Sequence, residues 1–236
     1  IRDRADERHW LTRVFFWTFL LRCGLALILN AYADNSAFAS TFWGDSSQYD
    51  FSGYQLAQKW SGTPSLTPRL STAISGFGWV YFVGGIYYVF DRSQLLVQFM
   101  NGLIGAWTVV VVYAITVRLF DRDAARWAAL FMAFFPQMVF WSAGMYKDPA
   151  ILLCIALCMY AVLVLRERLS LNAMLLFVGA ELALVTLRFY IAYFVAFATL
   201  AAFLFSYRGG GIRAVIRLVI LAGSFTLALN LAIERE

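Results

Sequence analysis

The chain has 236 residues, of which 62% are hydrophobic, 18% aromatic and 14% charged, and its mean hydropathy is +0.70. Water-soluble domains are about 45–50% apolar and about 25% charged, so this composition excludes a soluble domain, a disordered chain, a collagen-like chain and a disulfide scaffold. The net charge of +5 comes from arginines between apolar runs, which is typical of membrane loops and does not indicate nucleic acid. We therefore predict an all-α polytopic membrane protein.

Seven apolar runs approach the length of about 20 residues that a helix needs to cross a bilayer. In chain order they are 14–32, 95–117, 127–143, 149–165, 171–187, 189–207 and 215–233. An eighth run, 73–90, is short, aromatic and rich in glycine. We predict seven crossings, with the eighth run lying at the membrane interface or re-entering without crossing.

The basic residues predict the orientation of these runs. If only the seven long runs cross, twelve of the 19 Lys and Arg side chains face one side and six the other, with Arg22 inside the first helix. Basic loops stay in the cytoplasm, so we predict a cytoplasmic N-terminus and a long first outer loop over 33–94 that carries interfacial helices. Because a charge in mid-helix faces the bundle, we expect Arg22 to pair with Glu181.

The charges on the predicted outer side are the informative ones. They lie in three separate loops: Asp45, Asp50, Lys59 and Arg69 in the first, Lys147 and Asp148 in the second, and Arg188 in the third. A helical bundle can bring these loops together. Lysine and arginine bind phosphate, and a carboxylate can accept a proton from a hydroxyl. Together with the apolar surroundings they favour a lipid-phosphate substrate, and charges that only reach the headgroups are the competing interpretation.

Six short motifs follow one another along the chain. They are Gly44-Asp45-Ser46-Ser47-Gln48-Tyr49, Tyr88-Val89-Phe90-Asp91, Arg118-Leu119-Phe120-Asp121, Pro136, Lys147-Asp148-Pro149 and Thr186-Leu187-Arg188. In their order and predicted membrane side they resemble the GT-C polyprenyl-phosphate-dependent membrane glycosyltransferases, in the branch of protein O-mannosyltransferases and lipid A aminoarabinose transferases. Asp45 and Tyr49 match the Asp-Glu-x-x-Tyr pattern of that family, and Ser46 stands where the pattern has Glu.

The resemblance implies one GT-C module over residues 1–236. It implies an inverting transfer of a sugar from a polyprenyl-phosphate donor to a hydroxyl of an acceptor protein, lipid or glycan on the outer side, with Asp45 as the general base. The substrate-binding residues are then Tyr49, Lys147, Asp148 and Arg188, and Arg69 is added to them as a further basic residue of the first outer loop. Arg188 and Lys147 would bind the donor phosphate, and Asp148 would hold the acceptor or a metal. No cofactor is assigned, and a divalent metal at Asp45 and Asp148 is left open.

Two other functions stay open at this stage. A non-catalytic GT-C-like subunit, bound to other subunits of a larger membrane complex, would explain Ser46. A transporter would show internal repeats and charged residues near the bilayer midplane, whereas here the distinctive charges gather at one membrane surface and no repeat is apparent. We expect a protein of the bacterial inner membrane, in contact with its lipids. Because the sequence begins with Ile1 and ends at Glu236 just after an apolar run, we also expect truncation at both ends.

Overall fold

The computed structural model describes residues 2–33, 44–62, 76–205 and 223. Within these ranges the helices are α1 (Arg2–Ala33), α2 (Gly44–Trp60), α3 (Phe77–Phe90), α4 (Gln94–Leu119), α5 (Arg122–Phe134), α6 (Pro136–Ala143), α7 (Asp148–Glu167) and α8 (Leu171–Phe205). Four segments are long and apolar enough to cross a membrane, namely Asp6–Tyr32, Gln94–Leu119, Asp148–Glu167 and Leu171–Ala202. The all-helical membrane class is confirmed. Seven crossings remain a prediction, and the run 215–233 lies outside the described residues.

The chain divides into two compact units, one of residues 1–71 and 78–153 and the other of 72–77 and 154–236. In the first unit α4 is the central helix, because it packs against α1, α5 and α6. Ala125, Ala129 and Ala133 of α5 are fully buried in a cluster with Val109 and Tyr113 of α4. Small side chains at this helical spacing let two backbones approach closely, which explains the tight contact between α4 and α5.

The third predicted crossing is not one continuous helix. It breaks at Phe135, where the backbone is extended (φ −61°, ψ 119°), and α6 begins at Pro136. Proline has no N–H, so the carbonyl of Met132 loses its helical partner. The guanidinium of Arg22 replaces that partner, with Nη2 3.5 Å from the Met132 oxygen and Nη1 3.1 Å from the Ala133 oxygen.

Arg22 is buried in α1 and takes its partners from its own unit. Its Nε donates to Oγ of Ser142 (2.7 Å) and its Nη1 also donates to the carbonyl of Thr18 (3.2 Å). Gly105 of α4 leaves room for the guanidinium, since a Cβ there would lie 2.8 Å from Arg22 Nε. A hydroxyl and backbone carbonyls of the same unit thus accept hydrogen bonds from Arg22. The expected pair with Glu181, which belongs to the other unit, stays a prediction.

The second unit contains α8 and the part of α7 from Cys154 onward. The backbone of α8 leaves helical geometry at Arg188 (φ −155°, ψ 93°), which is where the sequence predicts a turn between two crossings. In the same unit, Sγ of Cys158 donates to the buried carboxyl group of Glu181 at 3.6 Å. This acid therefore has a neutral partner on the neighbouring helix.

The predicted outer loop contains α2 and α3, which cross at two glycines. A Cβ on Gly53 would lie 2.5 Å from Cγ1 of Val83, and one on Gly84 would lie 3.0 Å from Cδ2 of Leu56. The α3 helix has 14 residues and is too short to rank with the four candidate crossings. Its place at the membrane interface remains a prediction.

We expect Gly53→Ala to destabilise this crossing, because the added methyl group overlaps Val83 and overpacking costs about 1–3 kcal/mol. The matched control is Gly85→Ala in α3, where a Cβ meets nothing within 4 Å. Thermal unfolding of the purified protein in detergent should give a lower midpoint for Gly53→Ala alone. Equal midpoints for the two variants would contradict the close crossing of α2 and α3.

Candidate functional site

Predicted site residues from two distant parts of the chain meet in the first unit. The Nζ atom of Lys147 lies 5.7 Å from the ring centre of Tyr49, and both side chains are buried. Tyr49 lies on α2 about one turn after Asp45, and Lys147 is the residue before α7. The N-terminal part of α2 therefore lies beside the residues that lead into α7.

Two carboxylates lie close enough to the neighbouring Tyr146 to affect its pKa. Burial raises the pKa of Tyr146, and the negative charges of Asp45 and Asp148 raise it further. Asp45 is exposed in the first turn of α2, and Asp148 begins α7. Both carboxylates lie at helix N-termini, where the helix dipole stabilises negative charge. The Lys147 ammonium group thus lies near the Tyr49 ring, and both carboxylates lie within electrostatic range of Tyr146.

The other predicted site residues are placed differently. Arg69 lies outside the described residues, and Arg188 belongs to the second unit, at the break in α8. The described ranges contain no group of three or more His, Cys, Asp or Glu side chains that could hold a metal ion. The roles of Arg69 and Arg188, and a metal at Asp45 and Asp148, remain predictions.

Residues 144–147, here named the 144–147 turn, are held by side chains from two helices. Nδ2 of Asn101 in α4 donates to the carbonyl oxygens of Gly144 (2.8 Å) and Tyr146 (2.9 Å). The indole N–H of Trp79 in α3 donates to the carbonyl oxygen of Met145 (3.0 Å). All of these bonds fix the backbone directly before Lys147 and α7. Sequence reasoning missed both donors, since neither carries a charge.

An ionic network beside the site was also not singled out from the sequence. Asp50 of α2 accepts a hydrogen bond from Oη of Tyr87 (2.6 Å) and pairs with Nη2 of Arg92 (2.5 Å). Burial alone would raise the pKa of Asp50, but hydrogen bonds from Arg92, Tyr87 and Gln94 outweigh it and hold the pKa below its ordinary value. Burial and the bond to Asp50 raise the pKa of Tyr87.

The Asp50 network joins α2 to Tyr87 of α3 and to Arg92, which lies two residues after the end of α3. The guanidinium of Arg92 also lies 4.7 Å from the ring centre of Tyr54, one turn after Asp50. The network therefore holds the helix that carries Asp45 in a defined orientation. In the sequence, Asp50 was visible only as one of several outer charges, because its pairing depends on how α2 and α3 cross.

Residues 76–233 match the protein-family model described as dolichyl-phosphate-mannose-protein mannosyltransferase, and this range is more than half of the chain. The chain belongs to this family. The family consists of membrane glycosyltransferases of the GT-C kind, so the resemblance drawn from the sequence motifs is confirmed. Lys147, Asp148 and Arg188 lie inside the matched range, whereas Asp45 and Tyr49 precede it. No curated protein and no solved structure matches the chain.

The Asp50 network predicts a loss of stability in acid. In the folded protein the pKa of Asp50 lies below its ordinary value of 3.8. The ion pair therefore contributes fully to the free energy of unfolding above pH 3.8, and this contribution is lost as the pH falls through the folded pKa. At neutral pH, Asp50→Asn should lower the free energy of unfolding by about 1 kcal/mol, a modest figure because Arg92 is partly exposed. The difference from the wild type should shrink below pH 3.8.

Thermal unfolding of both proteins in detergent across this pH range measures the difference directly. The control is Asp91→Asn, which makes the same change at the exposed neighbour of Arg92 and should leave the unfolding curve unchanged. A stability difference for Asp50→Asn that persists undiminished into strong acid would be evidence against the ion pair.

Proposed function

We propose that this protein transfers a sugar from a polyprenyl-phosphate donor to an acceptor hydroxyl, with inversion at the sugar carbon. Asp45 is the general base in this proposal, and Lys147 binds the donor phosphate. The observation that carries it is the adjacency of α2 and the 144–147 turn, seen in the position of Lys147 over Tyr49 and in the effect of Asp45 and Asp148 on Tyr146. Membership of a glycosyltransferase family supports the reaction class.

The proposed reaction needs one cation and one proton acceptor. The acceptor oxygen attacks the anomeric carbon from the face opposite the phosphate, and the bond between that carbon and the phosphate oxygen breaks with its electron pair on the phosphate. A cation at the phosphate stabilises the charge that develops there, and Lys147 supplies it. The proton of the acceptor hydroxyl passes to Asp45, which is exposed and so is accessible to an acceptor.

The remaining residues are assigned supporting roles. The ring of Tyr49 attracts the Lys147 ammonium group and restricts a flexible side chain to one direction. Asp148 binds the acceptor, an assignment that follows the family resemblance, whereas the roles of Arg188 and Arg69 stay predictions from the sequence alone. The bias of basic loops favours a site on the outer side of a bacterial inner membrane. The acceptor class, whether protein, lipid or glycan, stays open.

Asp45→Asn should reduce sugar transfer by at least about 100-fold, because general base catalysis contributes that much or more. The chain is expressed in membranes that supply the acceptors, and transfer is measured from a radiolabelled polyprenyl-phosphate mannose. The variant should still fold and bind polyprenyl phosphate. Asp123→Asn makes the same change at an exposed residue of α5 and should transfer like the wild type. Undiminished transfer by Asp45→Asn would overturn the assignment of the base.

Lys147→Met should raise the KM for the same donor about tenfold, which corresponds to about 1.4 kcal/mol of lost phosphate binding. The control is Lys59→Met in the last turn of α2, an exposed lysine that should leave the KM unchanged. An unchanged KM for Lys147→Met would contradict its contact with the donor. Donor binding by the wild type without any transfer would instead favour the non-catalytic GT-C-like subunit.

A further inference from the structure

Three consecutive backbone carbonyls of the 144–147 turn accept hydrogen bonds from two buried side chains. Asn101 takes the first and third of these carbonyls, and Trp79 takes the second from the other helix. Gly144 is extended (φ −98°, ψ −176°). The donors come from two different helices, α4 and α3, so the turn is held by side chains from both of them.

Both donors are polar groups that lie in the buried interior. Trp79 is 1% exposed and Asn101 is 0% exposed, and Asn101 lies in a candidate membrane crossing. The Asn101 amide also approaches the carbonyl oxygen of Trp141 at 3.4 Å, so two N–H groups serve three acceptors. Its Oδ1 has no hydrogen-bond partner among the described residues. The favourable interactions described for this amide therefore all go to the end of α6 and the 144–147 turn.

The turn fixes the position of the backbone from which the Lys147 side chain extends. A lysine side chain is long and flexible, so its reach toward a ligand depends on a fixed backbone at its base. Met145 inside the turn is 1% exposed and lies against Tyr87, with Oη 4.0 Å from the sulfur. The side-chain packing and the carbonyl bonds thus agree in fixing this short non-helical segment.

We infer that Trp79 and Asn101 are positioning residues that clamp the 144–147 turn and so place the Lys147 ammonium group for phosphate binding. The inference rests on the proposed function, in which Lys147 binds the donor phosphate. Neither residue touches the donor in this arrangement. Each acts through the backbone, and displacement of a binding group by about 1 Å is enough to cost up to about 100-fold in rate.

Two variants remove the donated bonds with little change of shape. Trp79→Phe keeps an aromatic ring and loses the indole N–H, and Asn101→Leu keeps the approximate volume and loses both amide N–H groups. The controls are Trp107→Phe, at an exposed residue of α4, and Asn30→Leu, which removes an amide bonded to the side chain of Gln98 on α4 and not to the turn. If Asn101→Leu fails to fold, Trp79→Phe alone still tests the clamp.

Three measurements are made on the purified full chain in nanodiscs. Hydrogen exchange with mass spectrometry follows the amides of residues 144–148, titration gives the Kd for polyprenyl phosphate without a sugar, and transfer assays give kcat and KM for the donor. We expect faster exchange in Trp79→Phe and Asn101→Leu. We also expect an increase of about tenfold in the Kd and in the donor KM, a factor that corresponds to about 1.4 kcal/mol. Both controls should match the wild type.

Unchanged exchange at residues 144–148 would overturn the clamp. Faster exchange with a wild-type Kd would overturn the positioning role and leave a merely structural one. The proposed function fails separately if the wild type binds polyprenyl phosphate with this dependence on Trp79 and Asn101 but transfers no sugar. In that case the positioning of Lys147 stands as part of a lipid-phosphate binding site.

Discussion

Within a membrane every backbone polar group has to find a partner inside the protein. This constraint explains a buried cation of the first unit, Arg22. The break at Pro136 frees the carbonyls of Met132 and Ala133, and the guanidinium supplies donors to both while Ser142 accepts a further bond. A guanidinium has five N–H donors in a fixed plane, so one side chain pairs the carbonyls at the end of α5 and also the hydroxyl of Ser142 near the end of α6.

The broken third crossing and the 144–147 turn obey the same constraint at opposite ends of α6. Near the start of α6, Arg22 of α1 donates to a carbonyl at the end of α5. Just after the end of α6, Asn101 of α4 donates to the carbonyls of Gly144 and Tyr146. The two long helices of the first unit therefore hold one short helix between them through polar bonds in an apolar environment. Unlike apolar packing, such bonds are directional, so they define the position of α6 and of the residues that follow it.

These features separate what the sequence can predict from what it cannot. Helix class and most boundaries follow from apolar runs, and the break at Arg188 follows from one charge between two such runs. The break before Pro136 was not predicted, because a proline inside an apolar run is compatible with a continuous crossing. The sequence did not indicate these partners of Arg22, because it displays charges such as Glu181 but not backbone carbonyls freed by a break. For the same reason the sequence did not indicate the role of Asn101, because its partners are also backbone carbonyls.

Two carboxylates on α2 have different surroundings, and this difference gives one a structural role and leaves the other accessible for chemistry. Asp45 and Asp50 are five residues apart, so they lie about 140° apart around the helix. Asp50 faces α3 and accepts hydrogen bonds from Tyr87 and Arg92, which lower its pKa and make it a poor proton acceptor. Asp45 is exposed at the helix N-terminus and is not held in that network. Ser46 is buried on the inward face, where Asp50 one turn later still supplies a carboxylate. The base in the proposed reaction is therefore the carboxylate that the packing of α2 leaves accessible.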